Sequence, residues 1–145
     1  MNSIWNQPID IKYLKEWHRN TMQEHIGIEF LEIGDDYIKA KMPVDHRTKQ
    51  PMGLLHGGAS VTLAESLGSM ASVLCVDSET KLVVGLEINA NHIRSINDGF
   101  VTGITRPIHL GRSTQVWEIK IYNENEQLIC ISRITNAILD KKRTL

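Results

Sequence analysis

The stretch that most constrains this chain is QPMGLLHGGASVTLAESLGSMASVLC, from Gln50 to Cys75. A polar loop runs into the glycine pair Gly57-Gly58, and an apolar run follows with a single acid, Glu65, in its middle. Ala59, Leu63, Leu67, Met70, Ala71 and Leu74 recur at helical spacing, which predicts a long, mostly buried helix beginning near Gly57. A helix this apolar needs cover over most of its surface. The rest of the chain is expected to wrap it.

The flanking sequence supplies strands. Residues 1–9 read as a loosely held arm, and Asp10 as an N-cap for a short amphipathic helix carrying Ile11, Leu14, Trp17 and His18 on one stripe. From Ile28, IEFLEIG and YIKAKMPV alternate apolar and polar residues about a Gly34-Asp35-Asp36 turn, which predicts a hairpin ended by Pro43. After Cys75 comes LVVGLEINANHIRS, with Leu86, Ile88 and Ala90 expected on one strand face and His92 and Arg94 continuing it. Strands from Phe100 to Ile108, Thr114 to Tyr122 and about Leu128 to Leu139 follow, separated by the Asn97-Asp98-Gly99 turn, the His109 to Ser113 bend and the Asn123 to Gln127 turn. Residues 141–145 form a basic tail. The expected class is α+β, one curved antiparallel sheet wrapped around a long central helix, in a single domain spanning residues 1–145.

Composition narrows the functional classes. A chain of 145 residues with 41% hydrophobic and 23% charged side chains has material for one core and not two. A net charge of −1 gives no general attraction to nucleic acid or to an anionic membrane, so neither is expected as a partner. No apolar run reaches the roughly 18 residues of a membrane span, and the first residues lack a basic start followed by an apolar core, so a cytoplasmic location is expected. Cys75 and Cys130 lack metal-ligand spacing and have apolar neighbours, which fits buried reduced thiols. The six histidines show no H-E-x-x-H or equivalent spacing, so no metal site is expected.

The chemistry concentrates on the central stretch. Glu65, Ser69 and Ser72 fall at i, i+4 and i+7, on a face different from the apolar stripe. A lone helix glutamate is either a solvated edge or a functional acid. Here no Lys or Arg lies within 15 residues of Glu65, small serines flank it and a glycine pair opens the helix, a combination that favours the functional acid. The backbone N–H groups at Gly57-Gly58, aided by the positive end of the helix dipole, suit a developing oxyanion. His56 and the Gln50 carboxamide either orient that site or are an N-cap and a loop glutamine. Gly57 and Glu65 are eight residues apart, roughly 12 Å along a helix, too far to meet at one reacting carbon. Two copies with antiparallel central helices would place Glu65 of one opposite Gly57 of the other, so a homodimer with shared active sites is expected.

His56-Gly57-Gly58-Ala59, Leu63-Ala64-Glu65 and Gln50-Pro51, together with VGLEINANHIRS and the HLGRS bend, resemble the hotdog-fold acyl-CoA thioesterases. The similarity spans about residues 11–140 and points to the branch of 4-hydroxybenzoyl-CoA, 1,4-dihydroxy-2-naphthoyl-CoA and enterobactin-proofreading thioesterases. The resemblance implies that Glu65 attacks the thioester carbonyl or activates water, while the Gly57 N–H of the other subunit polarises the carbonyl. It also implies that Gln50 and His56 support the oxyanion site, that Ser69 and His92 sit near the water or the acyl group, and that subunits assemble as a dimer of dimers. Arg94 and the Arg112-Ser113 bend are candidates for the CoA phosphates, on charge and on resemblance. Met52, Met70 and Val73 are candidate pocket-lining residues, flexible or small enough for tolerance.

The expected activity is therefore hydrolysis of an acyl-CoA thioester, with an aromatic acyl group favoured and menaquinone biosynthesis among the pathways the resemblance allows. No cofactor is required, because CoA is part of the substrate and its thiolate already leaves well. A broader specificity for phenylacetyl, aliphatic or carrier-protein thioesters is the alternative, followed by a non-catalytic acyl-CoA-binding protein of the same fold. Hotdog dehydratases are set aside because neither a His-Phe-Pro-Gly motif nor a loop Asp and His pair appears.

Overall fold

The computed structural model describes residues 3–6 and 8–142. Two short helices, α1 (Ile11–Trp17) and α2 (Met22–His25), precede a hairpin of β1 (Glu29–Ile33) and β2 (Ile38–Pro43). The long helix α3 (Gly57–Leu74) follows, and then β3 (Lys81–His92), β4 (Phe100–Leu110), β5 (Thr114–Asn123) and β6 (Leu128–Asp140). The strands form one antiparallel sheet in the order β1-β2-β4-β5-β6-β3. Between β2 and β3 the chain crosses to the far edge, and α3 makes that crossing over the inner face of the sheet. The α+β hotdog arrangement is the one expected.

The apolar spacing of α3 accounts for its place. Leu63, Ala64, Leu67, Ala71 and Leu74 are buried against Trp117, Ile119, Ile121 and Ile134 of β5 and β6 and Val101 of β4. Two glycines allow the close approach. A Cβ at Gly68 would stand 2.3 Å from Ile134 Cγ2, and one at Gly103 would stand 2.6 Å from Leu67 Cδ1. Burying one such Leu or Ile contributes about 1.5–3 kcal/mol.

A buried polar cluster fixes the helix in rotation. Ser72 Oγ accepts from Trp117 Nε1 and from Asn136 Nδ2, both at 2.8 Å, and Asn136 Nδ2 also donates to Gly68 O at 3.1 Å. Ser72 is fully buried, so it does not share the open face of Glu65 as its i+7 spacing suggested. The spacing lies close to the boundary between faces, and the two donors decide the side. Ser72→Ala leaves the Trp117 N–H without an acceptor and removes one from Asn136. The expected loss is about 2–4 kcal/mol, measured by urea unfolding, and a loss below half a unit on that scale would show the cluster to be dispensable.

Other expectations need correction. Residues 4–6, expected to lie in a loose arm, make fixed contacts: Ile4 N–H donates to Asp35 O at 3.0 Å, Asn6 N–H to Leu74 O at 2.8 Å and Trp5 Nε1 to Gly34 O at 2.6 Å. The Trp5 ring stacks on Trp117 at 6.2 Å between centroids. A large aromatic ring with a polar N–H gains by docking where both needs are met. Leu86 does not share the inner face with Ile88 and Ala90, because a bulge between Gly85 and Glu87 interrupts the alternation and leaves Leu86 61% exposed. Trp17, placed by its spacing on a buried stripe, is 59% exposed, and Leu14 is the buried residue of α1. His109 belongs to β4 and not to the bend. In the basic tail, Lys141 is exposed and bonded to the connection before β3, its N–H to Thr80 O and its Nζ to Ser78 O, and residues 143–145 lie outside the described residues.

Both cysteines are free, Cys130 buried and Cys75 half-buried. Burial pushes the Cys75 thiol up to about 12 and raises that of Cys130 as well, so neither offers a thiolate near neutrality. Among the described residues no helix is long and apolar enough to cross a membrane.

Candidate active site

The start of α3 carries the first group of candidate residues. His56 is the N-cap, with φ −68° and ψ 131°, and its Nδ1 accepts from Gly58 N–H at 2.8 Å. That bond assigns the Nδ1 lone pair to the cap and turns the Nε2 edge outward. Ala59 N–H and Ser60 N–H both donate to His56 O. Among the described residues the Gly57 N–H has no acceptor. It is the donor at the head of the helix left for an outside oxygen.

The surroundings keep that donor open. His92, at the end of β3, lies over Gly57, where an added Cβ would stand 2.6 Å from His92 Nε2. The loop from Lys49 to Leu55 folds back on itself, with Gln50 N–H donating to Leu54 O and Gly53 N–H to Gln50 O. Gly53 has φ +80°, a conformation that glycine takes without strain. Leu55 N–H donates to Ile96 O and His56 N–H to Thr48 O, which anchors the loop to both flanking segments. The Gln50 Oε1 accepts from Met52 N–H, leaving the carboxamide N–H groups available. Gln50, Gly57, Ser60, His92 and Arg94 border one cleft of about 340 Å³.

Glu65 opens into a different cleft. Thr62, Glu65, Ser69, Met70 and Val73 of α3 form one wall, and α1 with the turn into α2 forms the other, around about 420 Å³. Glu65 is exposed and has no hydrogen-bond or ion-pair partner among the described residues. Its Oε1 lies over the backbone of Gly85 in β3, where an added Cβ would be 3.2 Å away. The same point is 3.8 Å from Asn136 Oδ1, a fully buried acceptor that no donor among the described residues satisfies. The carboxylate is thus carried on a rigid helix, over a residue that leaves it room.

The predicted site residues therefore divide into three groups. Gln50, His56, Gly57, His92 and Arg94 gather at the N-terminal end of α3, and Glu65, Ser69 and Met70 gather about two turns along it. Arg112 and Ser113 lie at the other end of the sheet, where Arg112 borders a cleft with Lys81 and Cys75. Lys81 and His92 are the two ends of β3, roughly 36 Å apart at a strand's rise per residue. One chain does not bring Arg94 and Arg112 together. Met52, expected in the pocket, stands at the tip of the loop, 79% exposed and outside both clefts. Sequence reading missed Gly85, Asn136 and the α1 wall with Trp17. Gly85 and Asn136 meet only through strand register, and no local motif marks that pairing.

Residues 52–130 match the family model described as the thioesterase superfamily. The chain belongs to the hotdog thioesterase superfamily. This hotdog thioesterase is 54% identical over 136 residues to the 1,4-dihydroxy-2-naphthoyl-CoA hydrolase of Escherichia coli (strain K12), covering 94% of this chain and 99% of that protein. It is 48% identical to a proofreading thioesterase, EntH, of Cronobacter turicensis, covering 94% of this chain and 98% of the relative. Among solved structures, a mutant thioesterase from Pseudomonas aeruginosa superposes with a TM-score of 0.95 at 49% identity, over 96% of this chain and 100% of that one. The branch that the His56-Gly57-Gly58 and Glu65 stretch pointed to is among these relatives.

Proposed function

We propose that this thioesterase hydrolyses an aromatic acyl-CoA, in sites that two subunits of a homodimer share. The observation that carries the reading is the separation of a free oxyanion donor, the Gly57 N–H, from the carboxylate of Glu65, each in its own cleft on one chain. Both groups lie against the same edge strand, Glu65 over Gly85 and Gly57 under His92. Leu82, Val84 and Leu86 are exposed along that strand. If two β3 edges pair antiparallel, with Gly85 opposite the partner's His92, neighbouring strands stand about 4.8 Å apart and the two half-sites face each other.

The same two-fold pairing carries the Lys81 end of one β3 towards the partner's Arg94. Arg94 of one subunit and the partner's Arg112 and Ser113 would then approach one CoA from two sides. In this arrangement the Gly57 N–H stabilises negative charge on the thioester oxygen, while Glu65 takes a proton from water or attacks the carbonyl carbon. CoA leaves as a thiolate; where water attacked, the acid is released directly, and where Glu65 attacked, water then hydrolyses the acyl-Glu65 anhydride to release the acid and restore the carboxylate. The name of the Escherichia coli relative, a 1,4-dihydroxy-2-naphthoyl-CoA hydrolase, supports a bicyclic aroyl group as substrate.

Release of free CoA thiol from a panel of acyl-CoAs tests the reading. The kcat/KM for 1,4-dihydroxy-2-naphthoyl- and 4-hydroxybenzoyl-CoA is expected to exceed that for octanoyl- or decanoyl-CoA by about 10- to 200-fold. A preference for the aliphatic thioesters would overturn the aromatic assignment.

A further inference from the structure

We propose that Trp17 of α1 sets the length of the acyl cleft, and that its indole is what restricts this enzyme to compact, planar acyl groups and excludes extended alkyl chains. The proposal rests on the acyl-CoA reading above. It concerns a residue outside the central stretch that no motif marks.

The cleft that holds Glu65 runs along α3 through Ser69 to Val73, roughly 12 Å of helix. Beyond it lies a second groove of about 330 Å³, bordered by Ile9, Tyr13, Leu14, Val73 and Leu74. Among the described residues only two border both spaces, Val73 on α3 and Trp17 on α1. Val73 is small and forms the shared floor. Trp17 is the partition.

Fold stability does not account for the position of this indole. Trp17 is 59% exposed and absent from the buried core, and its Nε1 donates to no acceptor among the described residues. A large, half-uncovered aromatic ring across an apolar groove suits contact with a ligand, and stacking on an aroyl ring is the contact its face offers. A substrate carbonyl beside Glu65 directs its acyl group along Ser69 and Val73 towards this ring. A benzoyl or naphthoyl group ends against it. An extended alkyl chain has to pass it.

The test compares wild type with Trp17→Ala and Trp17→Phe on 4-hydroxybenzoyl-CoA and decanoyl-CoA. Trp17→Ala joins the two grooves, so kcat/KM for decanoyl-CoA is expected to rise about tenfold and that for 4-hydroxybenzoyl-CoA to fall about tenfold. The selectivity ratio then moves by about a hundredfold. Trp17→Phe keeps an aromatic wall of smaller reach and α1 packing, and it is expected to move the ratio in the same direction by a few-fold, which gives a reading even where the alanine variant is too unstable to assay. Parallel loss on both substrates, or an unchanged ratio in both variants, overturns the partition role while leaving the thioesterase reading in place. A wild-type protein that releases CoA from neither substrate overturns the acyl-CoA reading, and this inference with it.

Discussion

Glu65→Gln is expected to lower kcat on an aroyl-CoA by about 10³-fold or more, with KM and thermal midpoint close to wild type. The carboxylate is asked either to take a proton from water or to form a bond to the carbonyl carbon. An amide of the same shape does neither, and loss of a positioned base alone costs about 10²–10⁴ in rate. The unchanged midpoint follows from the surroundings. Glu65 is exposed, forms no hydrogen bond or ion pair among the described residues, and faces a glycine, so the substitution leaves no partner stranded. KM is expected to hold because the groups assigned to CoA, Arg94 and Arg112, stand well away from Glu65 along the sheet. Steady-state kinetics with a thermal melt of the same preparation checks all three quantities. Near-normal kcat would refute the role of Glu65, and a collapsed melt would assign the residue to stability.

What could be read from the chain beforehand depended on whether the signal was local. The span of α3 and the succession of long strands were legible because apolar spacing repeats over many residues, and the N-cap Asp10 because one side chain closes onto the next turn. The helix α2 was missed, since four residues give no period to read. Leu86 and Trp17 were misplaced for a related reason: each fits a local repeat, and a bulge in one case and the packing of a short helix in the other decide which face is covered. The candidate residues on and around α3 were named from the sequence, Gly85, Asn136 and the Trp17 wall were not, and the distribution of the named ones was not fully foreseen. The distance from Gly57 to Glu65 follows from helix geometry alone. The distance from Arg94 to Arg112 depends on strand register across β3, β6 and β5, which no local pattern encodes.

Those separations lead to the second large effect, complementation between two inactive proteins. Gly57→Pro is a selective lesion because Gly57 is the first residue of α3, the position where proline is best tolerated, and its loss there is the N–H itself. His56 already has φ −68° and ψ 131°, the extended conformation that a residue before proline requires. A Cβ at this position meets only the exposed His92 side chain, which can swing away. Homodimers of Gly57→Pro and of Glu65→Gln are each expected to be inactive, since every site lacks either the donor or the carboxylate. When the two are unfolded together in equal amounts and refolded, about half of the dimers are mixed, and each mixed dimer pairs Gly57 from one chain with Glu65 from the other in one of its two sites. The mixture is therefore expected to recover about a quarter of wild-type kcat at unchanged KM, against near zero for either variant refolded alone. If each chain carried a complete site, mixing would restore nothing, and a mixture as inactive as its components would rule out the shared site.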